Sequence, residues 1–195
     1  MKRVALLLSL IASCASPRAL DGVVRGPLRT PEIQESAQHI EANWKERLAQ
    51  PYVYVEHTGD YRRLGDSMRA LFAAAESMEL DATGAPFALF FDDPGRVPSE
   101  HLKARACIPV SERPARGLAV LEYDVLPRAM VVYARVGGAY PEVARSYPTL
   151  FAYLRELGWV QGGPIREVYL VNPVDAPSYQ ELLTEVQIPW VARGQ

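Results

Sequence analysis

The chain has 195 residues, of which 49% are hydrophobic and 23% charged, and its formal net charge is −2 at pH 7. That is enough chain for one sizeable globular core, and the absence of any Lys/Arg run argues against a nucleic-acid partner. His39, His57, His101 and Cys107 lack zinc-like spacing, and there is no Gly-rich phosphate loop or Gly-x-Ser-x-Gly elbow, so no metal and no cofactor is expected.

The chain opens MKRVALLLSLIASCAS, with two cations, an apolar run from Val4 to Ala12, and small residues around Cys14. This pattern is a secretion signal and is too short to span a membrane as a helix. Ile11-Ala12-Ser13-Cys14 resembles a bacterial lipobox, which implies cleavage before Cys14, lipid on that residue and an envelope location. Ordinary cleavage after Ala15 is the alternative. A lipidated Cys14 cannot pair with Cys107, the second of the two cysteines. Residues 1–13 are therefore read as signal peptide and 14–30, rich in Pro, Gly and mixed charge, as a tether. From Thr30 as N-cap and Pro31, the residues Ile33, Ala37, Ile40, Trp44 and Leu48 recur at helical spacing and predict an amphipathic helix over 31–50.

From residue 51 onward the chain repeats itself. ALFFDDPGRVP (88–98) lies over EVYLVNPVDAP (167–177) at an offset of 79 positions, and Gly59, Tyr61, Ser67, Leu71 and Phe72 recur as Gly138, Tyr140, Ser146, Leu150 and Phe151. Agreement at one offset marks an internal duplication, with a first repeat at 51–110 and a second at 118–191. Each copy runs from a β-rich segment (52–57, 129–136) through a Gly turn into an amphipathic helix. Two strands follow (87–91 and 104–110, then 166–171 and 184–190), with Asp/Asn-Pro turn chemistry after the first. A further strand at 118–125 links the copies. The class is α+β: tandem strand-helix-strand-strand units forming an antiparallel sheet with helices on one face and a cleft at the seam between halves.

Taken together, the doubled Gly-x-Tyr before a helix, FFDDPGRVPSEHLKARACIPV in the first half, and GGPIREVYLVNP and LTEVQIPW in the second resemble the GyrI-like small-molecule-binding domains, which also serve as effector-binding domains of multidrug-responsive regulators. The resemblance covers about residues 50 to 191. It implies an aromatic cleft between the halves, with a glutamate from the second half that falls on Glu167. Pleat alternation puts Glu167, Tyr169 and Val171 on one face of their strand and Arg166, Val168 and Leu170 on the other. With the Val168/Leu170 face expected under the helices, Glu167 and Tyr169 would look into the cleft from the uncovered side. Phe90, Tyr133 and Trp190 join Tyr169 as candidate walls. A carboxylate in so apolar a setting is costly to keep charged, which predicts a raised pKa and a use. The plainer readings are a surface ion pair of Glu167 with Arg166, and aromatics that simply fill a core.

Three functions follow from the resemblance. The first is a lipid-tethered module that captures an amphipathic or cationic small molecule. The second is a hydrolase of a reactive small molecule, with Glu167 as general base and Tyr169 or a nearby Tyr as orienting donor. The third is a protein-binding module at the membrane, which touches the membrane through its lipid alone.

Overall fold

The computed structural model describes residues 40–115, 120–171 and 176–194. The signal peptide, Cys14, the tether and most of the expected first helix lie outside these residues. In chain order the elements are β1 (Asn43–Arg47), β2 (Gln50–Thr58), α1 (Leu64–Ser77), β3 (Phe87–Phe90), β4 (Lys103–Pro109), β5 (Glu122–Leu126), β6 (Ala129–Gly137), α2 (Tyr140–Val143), α3 (Ser146–Glu156), β7 (Trp159–Gln161), β8 (Ile165–Val171) and β9 (Leu183–Ala192). They form one curled antiparallel sheet in the order β1-β6-β9-β8-β3-β4-β2-β5, with β7 on β9 and the helices on one face.

The expected helix over 31–50 is corrected at its C-terminal end, because residues 43–47 are strand β1 and residue 50 begins β2. The 3.6-residue period of Ile40, Trp44 and Leu48 is outweighed by the ladder that β1 makes with β6, from Asn43 opposite Tyr133 to Arg47 opposite Ala129. The repeat is also one strand longer than its sequence suggests. At the same offset of 79, Asn43 and Arg47 correspond to Glu122 and Leu126, so β1 and β5 are equivalent and the unit is strand-strand-helix-strand-strand.

Each of these first strands pairs in the other half, β1 with β6 and β5 with β2. The two-residue links Leu48-Ala49 and Pro127-Arg128 explain why. A two-residue hairpin needs positive φ; neither link adopts it, and proline cannot. The strands therefore cross over instead of folding back.

α1 buries Leu64, Leu71 and Ala75 against Val53, Ala88, Ala104, Ala106 and Ile108. α3 buries Leu150 and Leu154, with Val143, against Val132, Ala134, Val186 and Ile188. The other face of the sheet has its own cluster of Tyr52, Tyr54, Phe87, Leu89, Cys107, Leu126 and Val168. The helices thus cover the Ala88/Glu167 face and not the Val168/Leu170 face, which reverses the assignment expected from the pattern. The alanines at 88, 104, 106 and 134 supply the low surface onto which the helices settle. Curl closes the opposite face: Arg166 on β8 donates to Gln50 on β2 at 2.6 Å, across β3 and β4. In a flat sheet those strands would be about 14 Å apart.

Candidate functional site

The centre of the sheet is the pairing of β3 with β8, where Ala88 stands opposite Glu167. These two are also repeat equivalents, so the pseudo-two-fold axis passes between them. The row that crosses the helix-covered face here reads Val55, Ala106, Ala88, Glu167, Val186, Ala134. Glu167 is its single polar member. A glutamate in both copies would set two carboxylates directly opposite, with Cβ atoms about 5 Å apart, a destabilising like-charge pair. An element on a symmetry axis has room for one, which accounts for the unequal copies.

Glu167 is half-buried. Tyr147, from α3, donates its hydroxyl to one carboxylate oxygen, and the Tyr169 hydroxyl lies 3.5 Å from the other, a much weaker contact. Burial raises the Glu167 pKa, and the hydrogen bonds from Tyr147 and then Tyr169 offset this only in part. Burial, followed by the neighbouring carboxylate, also pushes both phenols up. Among the described residues Glu167 makes no salt bridge, and its sequence neighbour Arg166 points to the opposite face, so the surface-pair reading does not hold.

Two aromatic pairs flank the axis, and they are copies of each other. Tyr61 meets Phe90 edge-on at 4.9 Å between ring centroids and 73° between planes; Tyr140 meets Tyr169 at 5.3 Å and 74°. Backbone carbonyls hold the Tyr61 hydroxyl, Lys103 O at 2.9 Å and Asp92 O at 3.1 Å. The arrangement is a lone carboxylate between two walls of π-surface. It suits a group that is positive or polarised at its centre and apolar at its sides.

Of the residues singled out from sequence, Phe90 and Tyr169 accompany Glu167. Tyr133 does not: it lies on the face away from the helices, with the Lys45 Nζ 4.3 Å from its ring centroid. Its register with Gln187, which in turn faces Arg166, puts it on the wrong side of the pleat. Trp190 shares Glu167's face but sits four residues along β9 from Val186, about 13 Å away at strand rise, stacked on Trp159 with centroids 3.6 Å apart. His57 is satisfied, with Ser67 Oγ at 3.0 Å from Nδ1 and Asp60 O at 3.1 Å from Nε2.

Sequence reasoning missed the part played by Tyr147, which sits in a helical stripe and reads as core. The signal lay in the repeat, because Met68, Ala88 and Phe90 of the first half become Tyr147, Glu167 and Tyr169 in the second. All three exchanges add a polar atom at one place.

Comparison with solved structures gives the same architecture at low identity. The EcmrR C-terminal domain superposes with a TM-score of 0.70 at 17% identity, covering 78% of this chain and 98% of that one. Against the EcmrR–DNA complex the TM-score is 0.69, and the present chain spans 58% of the EcmrR chain. A structure described as a hydrolase encoded by lin2189 from Listeria innocua gives 0.58 at 9% identity over 77% and 92% of the two chains. SAV2435 bound to tetraphenylphosphonium gives 0.53 at 13% over 77% and 94%. No curated protein sequence matches. The family model described as "GyrI-like small molecule binding domain" matches residues 41–191, and the chain belongs to that family.

Proposed function

We propose that this domain captures a small amphipathic cation in the cleft between its halves, with Glu167 as counter-charge and Phe90, Tyr169, Tyr61 and Tyr140 as aromatic walls. The observation that carries the reading is the position of Glu167: a carboxylate on the pseudo-two-fold axis, raised in pKa, without a basic partner among the described residues, and flanked by matched aromatic pairs. The neighbour seen with tetraphenylphosphonium supports the cationic class. We further propose that residues 1–13 export the chain and that lipid on Cys14 holds it at the envelope. Replacing Cys14 with Ser is then expected to move the protein from the membrane fraction to the soluble one.

A matched pair of ions tests the binding reading. Tetraphenylphosphonium and tetraphenylborate share size and shape but differ in charge. Thermal melting of the full-length chain is expected to rise saturably with the cation and not with the anion. Equal shifts with both would leave hydrophobicity as the whole cause.

A second reading rests on the contact of the Tyr147 hydroxyl with Glu167, together with the neighbour described as a hydrolase. A phenol on a carboxylate of raised pKa is a competent proton relay. Product formation that disappears in Glu167→Gln would favour this reading over simple capture.

A further inference from the structure

The face of the sheet away from the helices carries Lys45, Arg47, Arg105, Arg135 and Arg166, of which Arg135 is exposed and the others buried or half-buried, and three of the five are neutralised. Arg105 bonds Asp124 at 2.8 Å and approaches Glu56 at 3.3 Å. Lys45 and Arg135 both bond Glu185, at 2.5 and 3.0 Å. The equivalent positions in the two halves carry opposite charges: Glu56, Arg105 and Asp124 in one correspond to Arg135, Glu185 and Lys45 in the other. These ion networks are closed.

Arg47 and Arg166 are outside them. They are 8% and 5% exposed, and among the described residues neither makes a salt bridge. Glu185, the buried carboxylate on this face, is already taken by Lys45, Arg135 and the Gln187 amide. Each guanidinium is held along one edge only. Arg47 Nη2 donates to Pro127 O at 2.8 Å and Arg166 Nη2 to Gln50 Oε1 at 2.6 Å, while Nε of both is buried with no hydrogen-bond partner. Phe87 fixes the plane of Arg166, whose Cζ is 3.9 Å from the ring centroid. Gln50 stands opposite Leu126, the residue before Pro127, so the acceptors of the two guanidinium groups lie at the same corner of the sheet. Burial and then the Arg47 charge draw the Arg166 pKa down to about 10, which Cys107 and Glu185 oppose only in part. Arg166 is still a cation at neutral pH, so two like charges share a desolvated site.

Burying one unpaired charge is strongly unfavourable, and placing a second beside it adds repulsion. A guanidinium offers its donors as a fork that fits an oxyanion two bonds at a time. We propose that Arg47 and Arg166 form a binding site for a small oxyanion, a phosphate or a carboxylate, on the face of the sheet opposite Glu167. The anion would accept from the free Nε edges and neutralise the pair. The site is independent of the cation cleft, since pleat alternation directs Arg166 and Glu167 to opposite faces.

The test is calorimetric titration of the full chain with inorganic phosphate and, separately, with acetate at matched ionic strength. Two variants, Arg166→Gln and Arg47→Gln, are titrated alongside, so that a folding defect in one leaves the other. Saturable binding of phosphate or acetate by the wild type, weakened at least tenfold in each variant that folds, is the expected result. Which anion binds identifies the source. No saturable binding of either anion to the wild type would overturn the proposal, as would equal binding in a folded variant.

Discussion

Replacing Tyr147 by Phe removes one oxygen and leaves the ring that packs on the sheet. In the folded state this deprives Glu167 of the hydrogen bond from Tyr147 and leaves only the Tyr169 hydroxyl at 3.5 Å. The cost depends on the protonation of Glu167. When the carboxyl is protonated the lost bond is between neutral groups and costs about 1 kcal/mol; when it is charged the loss is about 1.5–3 kcal/mol.

Because burial holds the folded pKa of Glu167 above the ordinary value of 4.5, the folded state binds more protons than the unfolded one between those two values. Wild-type stability therefore falls as pH rises from about 4.5 through the folded pKa. Tyr147→Phe raises the folded pKa further, so its stability falls more over the same window. Urea denaturation of both proteins between pH 4 and 8 should give a difference that starts near about 1 kcal/mol and grows to about 1.5–3 kcal/mol at neutral pH. A difference that stays flat across this range would show that Tyr147 does not bond the Glu167 charge.

Ala88→Glu would create the opposed carboxylates that the unequal copies avoid. At about 5 Å and an effective dielectric of about 20 the repulsion is about 3 kcal/mol, so the protein should lose stability steeply above pH 5, as thermal melting would show. Leu150→Ala opens a cavity at a fully buried position of α3 and should cost about 2–5 kcal/mol in chemical denaturation. Tyr61→Ala and Tyr140→Ala should each weaken tetraphenylphosphonium binding by about 0.5–2 kcal/mol. Tyr133→Ala, on the other face, should leave that affinity unchanged by calorimetry.

The repeat made most of the fold legible, because identical offsets at Gly59, Tyr61, Leu71 and Phe72 tie two halves to one unit. It could not reveal β1: only the strand EYDVL in the second copy betrays NWKER in the first, and the two share no residue at equivalent positions. A strand that completes the other half's sheet is selected by its partner, here β6, and not by its own half. Alternation along β8 separated Glu167 from Arg166 correctly, yet period two says nothing about which side a helix covers. That was decided by Ala88, Ala104, Ala106 and Ala134, residues too small to mark a core from sequence alone but the right size to receive a helix. Glu167, Tyr169 and Phe90 were within reach of strand alternation. Tyr147 and the placement of Tyr133 and Trp190 depend on contacts between elements far apart in the chain.

The central claim is that the Glu167 carboxylate supplies the charge that holds a cation. The most direct measurement is calorimetric titration of tetraphenylphosphonium into the wild type and into Glu167→Gln, which keeps the shape and removes the charge. Saturable binding to the wild type with at least a tenfold loss in the variant is the expected result. Equal affinity in the two proteins would mean that the aromatic walls bind without the carboxylate and would contradict the account.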